Sequence, residues 1–295
     1  MTSPSERRER RIFTDVDITT IASPRPLGIG LYGYTGTGKT ESALRLARGI
    51  QRVYGGDVFL ADTDGGRGTH YKEHCPWVRY IDFGPPHNAF DFVDLLEQYG
   101  PRKGVLVIDQ MTEEHDGKEG LLETQERVKE GKDTRNAVAW GVAKGEHKQL
   151  ARVIRSVMGA PYYKPVILTW RSKDKIDWQH KENGKIKPID LGPSPIGSTD
   201  IPYEMTLTFF FPPGGRGRPC LIPQSVNEEV MTKTSRFLAG IVKPEDPQFP
   251  ARGEQLTEAH GEAFARWAMK GVQTGPSRYD ELAQAINEAP LAELE

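Results

Sequence analysis

The chain has 295 residues, of which 37% are hydrophobic and 27% are charged, with a formal net charge of −2. This length and composition allow a sizeable core, while the nearly balanced charge excludes bulk electrostatic binding of nucleic acid. The two cysteines exclude a disulfide framework, and no apolar run is long enough to span a bilayer, so we expect a cytoplasmic protein with no membrane partner.

The chain begins with a polar, arginine-rich stretch, and we predict a flexible basic arm over residues 1–22. An apolar run, Leu27–Tyr32, follows this arm and is typical of a buried strand. The residues after position 40, through Arg48, favour a helix. The sequence therefore predicts a strand–loop–helix unit in which the segment between these two elements is the loop.

That connecting segment, residues 33–40, reads Gly-Tyr-Thr-Gly-Thr-Gly-Lys-Thr and fills every fixed position of the phosphate-binding P-loop, G-x-x-x-x-G-K-[ST]. Its glycines allow backbone N–H groups to surround phosphates, and the helix N-terminus adds positive potential. Lys39 would reach the β- and γ-phosphates, and Thr40 would place its hydroxyl on Mg²⁺. We therefore predict that ATP and Mg²⁺ bind here. The expected nucleotide contacts are Gly33, Tyr34, Thr35, Gly36, Thr37, Gly38, Lys39, Thr40 and Glu41.

Further short apolar runs alternate with helical patterns along the chain. Asn88 is a candidate N-cap for a helix that continues to Tyr99. Apolar strands separated by helices predict an α/β fold whose mostly parallel sheet is covered by helices on both faces. The predicted strands after the first are Val58–Ala61, Val78–Phe83, Val105–Asp109 and Pro165–Trp170.

Carboxylates follow two of these strands. Asp109 closes its strand as a Walker B acid would, and we expect it to hold Mg²⁺ opposite Thr40. Asp62 and Asp64 follow the second strand, at the sheet edge where α/β proteins bind ligands. We favour Asp64 as the group that activates water, because Gly65-Gly66 frees the backbone behind it. The alternative is a carboxylate pair that caps a turn.

Arg171 follows the fifth strand at the same edge, where a cation would contact the γ-phosphate. A simple surface arginine is the alternative. The predicted catalytic set is therefore Lys39, Asp64, Asp109 and Arg171, with Thr40 and Asp109 as metal ligands.

The region after the fourth strand, residues 112–136, is dense in charged residues and glycine, and we predict an exposed, mobile insertion. Trp140–Met158 then has the pattern of a long helix, with Leu150, Val153, Ile154 and Val157 as its apolar stripe. Cations on another face of this helix and after the fifth strand suit a DNA backbone. These candidates for DNA binding are Lys144, Lys148, Arg152, Arg155, Lys173 and Lys175.

Aromatic side chains near these cations suit single-stranded nucleic acid, in which bases stack on rings. The residues are Trp170, Trp178, Tyr162 and Tyr163. For any one of them, packing in the core or at its rim is the preferred interpretation, and only the group as a whole favours nucleic acid.

The last third of the chain is rich in β-formers and turns. Asn183-Gly184 indicates a hairpin, Tyr203–Phe211 a strand, and Leu256–Met269 a helix. We expect a β-hairpin extension over 172–225 on a core of 23–240, followed by a linker and C-terminal helices over 241–295, the last helix being Tyr279–Glu295.

The order of these motifs resembles that of the RecA/RadA-like P-loop ATPases of phages and prophages, a group often labelled AAA-type or single-strand annealing recombination proteins. The motifs are the P-loop, Asp62–Gly66, Val105–Asp109, Glu146–Leu150 and Ile167–Lys173. The resemblance covers about residues 28–211. It implies a RecA-like core, ATP hydrolysis and action on single-stranded DNA in recombination or replication.

The resemblance also implies roles for individual residues. Asp64 would be the catalytic carboxylate, where relatives more often carry Glu, and Asp109 would be the Walker B acid. Arg171 stands near the γ-phosphate sensor, where RecA-like proteins carry Gln, and Gln110 stands where many relatives carry Ser. The DNA-binding loops would be 112–135 and 172–188. A homo-oligomeric ring or filament, a single-strand binding protein as partner and the cytoplasm of a bacterial host are further implications.

Three other classes of function remain open from the sequence. They are a different P-loop motor or loader ATPase, a small-molecule kinase, and a nucleotide-dependent interaction module with little turnover. The effect of single-stranded DNA on the ATPase rate, together with a screen of phosphate acceptors, would separate them.

Overall fold

In the computed structural model, residues 14–131, 136–177, 181–182, 185–186, 188–197, 200–219 and 254–270 are described. Their strands are β1 (Gly28–Gly33), β2 (Asp57–Asp62), β3 (Val78–Asp82), β4 (Gly104–Asp109), β5 (Val166–Asp177), β6 (Lys181–Glu182), β7 (Lys185–Ile186), β8 (Ile189–Pro195) and β9 (Leu207–Phe211). Their α-helices are α1 (Lys39–Tyr54), α2 (Ala89–Tyr99), α3 (Thr112–Asp116), α4 (Leu121–Gly131), α5 (Asn136–Met158), α6 (Asp200–Glu204) and α7 (Glu258–Ala268). Two short 3-10 helices span Ile18–Thr20 and Arg67–Tyr71.

The central sheet has the strand order β3-β2-β4-β5-β1-β9, and neighbouring strands in this path are parallel. Its inner strands are continuous apolar runs because both faces are covered. Helices α1 and α7 pack on one face, with Leu46 and Phe264 in that core. Helices α2, α5 and α6 pack on the other, with Phe92 and Ile154 in the second core. The predicted α/β class, with a mostly parallel sheet between helices, is confirmed.

Local sequence signals account for several boundaries. The side chain of Asn88 accepts hydrogen bonds from the backbone N–H groups of Phe90 and Asp91, and the Asp91 carboxylate accepts one from the Asn88 N–H. This capping box starts α2 where the sequence predicts it. In α5, Leu150 and Ile154 are fully buried, as the predicted apolar stripe requires.

The prediction of an exposed insertion over 112–136 is wrong for residues 112–131, which form α3 and α4. Thr112 and Glu114 of α3 and Leu121 of α4 are buried. The charged composition is misleading because α4 packs along α5 and because the buried carboxylate of Glu114 has a histidine partner on α5. Residues 132–135 lie outside the described part of the chain.

Helix α7 belongs to the core, which corrects the predicted boundary at residue 240. It crosses α1 where Gly49 meets Gly261, so closely that a Cβ on Gly49 would lie 1.9 Å from the carbonyl oxygen of Glu258. The end of α7 also contacts the segment that leads into β1. The Arg25 N–H donates to the Ala268 carbonyl at 2.8 Å, and the Arg25 guanidinium lies over the Trp267 ring.

Among the described residues the β-rich extension departs from the predicted 172–225, of which residues 220–225 lie outside the described part of the chain. Strand β5 continues past the sheet edge, where β8 pairs with it in the antiparallel direction, and β6 pairs with β7 as the hairpin signal predicts. Strand β9, however, joins the central sheet beside β1, and Tyr203 lies in α6. The predictions for residues 1–13, Trp178 and Tyr279–Glu295 fall outside the described residues. No helix among the described residues combines the length and apolar character that a bilayer crossing requires.

Candidate functional site

The P-loop lies between β1 and α1 at the carboxyl edge of the sheet. Gly38 has φ +93, in the left-handed region, and a Cβ there would lie 2.8 Å from the Cα of Gly217. Only glycine therefore fits this approach between the P-loop and the turn after β9. The N–H of Gly217 donates to the Thr37 carbonyl at 3.1 Å, and the Thr37 hydroxyl donates to the Tyr34 carbonyl at 2.7 Å. These contacts fix the loop with the N-terminus of α1 towards the cleft.

Lys39 is buried at the base of the P-loop. Its Nζ donates to the carbonyl oxygens of Gly33 at 2.9 Å and Tyr34 at 2.8 Å. Burial lowers the pKa of Lys39 to about 8, although the nearby Asp109 and Asp64 carboxylates act in the opposite direction. An anion in the cleft would offer this ammonium group charged acceptors in place of neutral carbonyls. Charged acceptors form stronger hydrogen bonds than neutral ones.

Asp109 at the end of β4 is held by two hydroxyl groups. Thr40 donates to its Oδ2 at 2.6 Å, and Thr169 of β5 donates to its Oδ1. Burial raises the pKa of the Asp109 carboxyl, and these two hydrogen bonds oppose that effect. A hydroxyl and a carboxylate side by side are the hard oxygen ligands that Mg²⁺ takes from proteins, with phosphates and waters completing its shell. The predicted pair of metal ligands is thus adjacent and fits this ion.

The structure distinguishes between the two aspartates that follow β2. Asp62 is buried and closes its own loop, since its carboxylate accepts from the N–H groups of Asp64 at 2.8 Å and Gly68 at 2.7 Å. Asp64 instead faces the cleft. Its Oδ1 accepts from Nη2 of Arg171 at 2.6 Å, and its Oδ2 accepts from Nη1 of Arg67 at 3.0 Å.

Arg171 is surrounded by acceptors. The Glu113 carboxylate of α3 lies 3.6 Å from Nη1 of Arg171. The backbone N–H of Arg171 donates to the Thr112 hydroxyl at 2.8 Å. The Gln110 side-chain oxygen accepts from Nε and Nη2 of Arg171, each at 2.7 Å, in the amide orientation that satisfies both groups. Burial raises the pKa of Glu113, and the Arg171 charge opposes the shift. This guanidinium is therefore positioned from several sides.

These side chains line one cleft beside the P-loop, so the four predicted catalytic residues converge. Its lining residues are Thr35, Gly36, Lys39, Thr40, Asp64, Arg67, His70, Tyr71, Asp109, Gln110 and Arg171. A second cleft on the other side of Gly36 is lined by Thr37, Gly38, Glu41, Ser42, Arg45, Arg216, Gly217, Gln255 and Leu256. Glu41 thus lies in the second cleft rather than the first.

Four lining residues are not among the site residues predicted from the sequence. They are Gln110 after β4 and Arg67, His70 and Tyr71 of the 3-10 helix after Gly65-Gly66. Thr169, the second partner of Asp109, was not predicted either. A signal for Thr169 existed, because it lies two positions before Arg171, and residues i and i+2 of a strand face the same side.

The candidate DNA-binding residues differ in whether they already have a partner in the fold. Lys144, Lys148 and Arg152 are exposed on α5, and Lys173 and Lys175 are exposed on β5. Arg155 instead pairs with Glu204 of α6, both through its Nε at 2.6 Å and through Nη2.

Of the candidate stacking residues, Trp170 lies in the core, and Tyr162 and Tyr163 are half-buried in the loop between α5 and β5. Trp170 is only 2% exposed and packs in the core beside Gly30 of β1, which agrees with the interpretation preferred for any single ring and excludes stacking on bases.

The fold and the site define a P-loop nucleotide-binding protein, and comparison with known families agrees. The family model of an AAA domain matches residues 25–207. The match covers more than half of the chain, so the protein belongs to this family of AAA-type P-loop ATPases. The family as a class binds ATP with Mg²⁺. No curated protein matches the chain.

Proposed function

We propose that the protein hydrolyses ATP in a Mg²⁺-dependent reaction and acts on single-stranded DNA in recombination or replication, as a phage-type, RecA-like ATPase. The observation that carries the ATPase is the convergence of Lys39, Thr40, Asp109, Asp64 and Arg171 in one cleft. The DNA partner is supported by exposed cations near the same edge of the sheet.

Each cleft residue has a role that follows from its chemistry. Lys39 and the P-loop N–H groups bind the terminal phosphates, and Thr40 and Asp109 hold the metal ion. Mg²⁺, when bound, neutralises charge on the β- and γ-phosphates. Asp64 orients the attacking water and accepts its proton, and Arg171 donates hydrogen bonds to the γ-phosphate. Because Asp64 and Arg171 contact each other, phosphate binding at Arg171 would release the carboxylate towards water.

The second cleft is the proposed site of the ribose and base. It shares Gly36 with the phosphate cleft and is closed by the turn after β9, whose Arg216 carbonyl accepts from Gln255 at 2.8 Å. Its polar groups include Glu41 and Arg45 at the start of α1. A nucleoside triphosphate would therefore extend around the P-loop from one cleft into the other.

The proposed DNA surface flanks α3. Exposed Lys144 and Lys148 lie on α5, and exposed Lys173 lies on β5 beyond Arg171. Helix α3 connects the two elements, since Glu114 bonds to His147 of α5 at 2.8 Å. A DNA backbone along these lysines would lie close to the γ-phosphate side of the site, which gives a physical route to DNA-stimulated turnover. A homo-oligomeric ring or filament would repeat this surface along the strand.

Measuring ATP hydrolysis and oligonucleotide binding in Lys144→Glu/Lys148→Glu tests the proposal. We expect the variant to lose single-stranded DNA binding and DNA stimulation while keeping ATP binding. Wild-type binding should weaken with salt, with a log–log slope of about −0.7 per phosphate neutralised. Lys103→Glu/Lys270→Glu carries the same change of charge on exposed residues outside this surface and should bind DNA normally. A wild type without DNA affinity at low salt, with or without ATP, would contradict the DNA partner and leave the ATPase standing.

A further inference from the structure

The loop after β2 carries a second arginine into the phosphate cleft. Gly65 at φ +66 and Gly66 at φ +88 turn the backbone through the left-handed region, and the 3-10 helix begins at Arg67. The buried carboxylate of Asp62 ties both sides of this turn together through the N–H groups of Asp64 and Gly68. The turn therefore presents Asp64 and Arg67 to the cleft in a fixed arrangement.

Asp64 is shared between two guanidinium groups. Arg67 bonds to one carboxylate oxygen at 3.0 Å and Arg171 to the other at 2.6 Å. One negative charge thus faces two positive charges in a cleft that also holds the Lys39 ammonium group. The lining as a whole sets the cations Lys39, Arg67 and Arg171 against the carboxylates of Asp64 and Asp109, so one positive charge is left over. This balance suits an anion with several charges that arrives with a divalent cation, such as a triphosphate with Mg²⁺.

The two arginines differ in how they are held. Arg171 is fixed by Gln110, Glu113 and its own strand, whereas the one ion pair of Arg67 among the described residues is with Asp64. The Arg67 side chain is 62% exposed and lines the cleft. It can therefore exchange Asp64 for a phosphate oxygen with little cost in packing.

We propose that Arg67 is a catalytic residue, an arginine supplied by the protein's own chain that donates hydrogen bonds to the terminal phosphoryl group during its transfer to water. This inference rests on the proposed ATPase activity. In the reaction the water oxygen bonds to the γ-phosphorus and the bond to the bridging oxygen of ADP breaks, with that electron pair leaving on ADP. The water proton passes to Asp64. Arg67 forms no covalent bond and stabilises the charge on the γ-oxygens.

Arginines in this role act mainly on the transition state, where the phosphoryl charge is spread over its oxygens, and contribute about 10³–10⁵ in kcat in the P-loop NTPases that use one. We expect Arg67→Ala to lower kcat by at least about 100-fold. Its affinity for ADP should stay unchanged, while its affinity for a non-hydrolysable ATP analogue should fall by about 10-fold, because only the analogue carries a γ-phosphate. Arg67→Lys keeps the charge without the planar fork and should recover only part of kcat.

The experiment compares Arg67→Ala and Arg67→Lys with Arg79→Ala, which removes an exposed arginine paired with Asp57 away from the cleft. Steady-state hydrolysis and calorimetric binding of ADP and of the analogue are measured for all three. Retained ADP binding by Arg67→Ala shows that the variant is folded. Hydrolysis within threefold of wild type would overturn the assignment of Arg67 and leave the ATPase intact. A wild type that hydrolyses no ATP would overturn the proposed function. The contact of Arg67 with the γ-phosphate would be overturned separately if the analogue bound equally to wild type and Arg67→Ala.

Discussion

The hydroxyl of Thr40 donates a 2.6 Å hydrogen bond to Oδ2 of Asp109, which joins the P-loop helix directly to the end of β4. The two residues are 69 positions apart in the sequence, and the pairing brings together the two oxygen ligands that a Mg²⁺–nucleotide complex needs. The register of the sheet is responsible, since β1 and β4 both border β5 and end at the same edge.

Asp109→Asn should weaken the dependence of nucleotide binding on Mg²⁺. The amide keeps the shape of the side chain but removes its negative charge, so we expect the Mg²⁺ concentration needed for half-maximal ATP binding to rise by at least about 10-fold. Titration of Mg²⁺ at fixed nucleotide measures this. Binding without Mg²⁺ should stay unchanged or improve, and an unaltered Mg²⁺ titration would remove Asp109 from the metal site.

Lys39→Ala should lower the affinity for ATP by at least about 10-fold, which corresponds to about 1.4 kcal/mol. The substitution removes the buried ammonium group that lies against the Gly33 and Tyr34 carbonyls. Calorimetry of wild type, Lys39→Ala and the exposed control Lys72→Ala gives the comparison. Equal affinities in all three proteins would contradict the placement of the phosphates.

Asp64→Asn should bind ATP and fail to hydrolyse it, because an amide is nearly isosteric with the carboxylate but is a poor base. Asp62→Asn should instead lower the free energy of unfolding, because the buried Asp62 carboxylate closes the loop through two backbone N–H groups. Single-turnover hydrolysis and urea denaturation separate the two effects. Normal hydrolysis in Asp64→Asn would move the role of base to another acid, with Glu113 as the next candidate.

Lys164 should make stability rise with pH between about 7 and 10. Its side chain is fully buried, and burial lowers its pKa from 10.5 to about 7, while its Nζ donates to the Arg102 carbonyl at 2.6 Å. Between these two pKa values the unfolded chain binds more protons than the folded one, so the free energy of unfolding rises with pH. Urea denaturation across this range should give a smaller rise for Lys164→Met than for wild type. The exposed control Lys103→Met should follow wild type, and parallel profiles for all three proteins would rule out the shift.

Gly49→Ala should destabilise the protein by about 1–3 kcal/mol, the usual cost of overpacking. The new methyl group would meet the Glu258 carbonyl oxygen at 1.9 Å, and neither helix backbone can move without disturbing the core. Gly145→Ala in α5 is the matched control, since a Cβ there meets nothing within 4 Å. It should stabilise by up to about 1 kcal/mol through helix propensity. Equal midpoints of denaturation for the two variants would contradict the close crossing.

The P-loop, the strand ends and Asp109 were predictable because each depends on a short local pattern with a physical requirement. Residues 112–131 were not, because the burial of Glu114 depends on His147, a partner 33 positions away. For Trp170 the neighbouring cations suggest stacking on bases, whereas its place at the end of an apolar strand favours the core, where the structure buries it. Arg67 has no motif of its own; its role depends on a turn whose geometry is fixed by the buried Asp62.

The contact between Arg25 and the end of α7 bears on how the protein is made. The segment before β1 meets Trp267 only after 242 further residues have been added, because the Arg25 guanidinium donates to the Trp267 carbonyl. Helix α1 is synthesised early, yet α7, which covers it, emerges from the ribosome near the end of translation. Leu46 and Ile50 on α1 therefore stay uncovered on the nascent chain until α7 has been synthesised. A stalled or truncated product ending before residue 254 would expose this apolar face to chaperones and proteases.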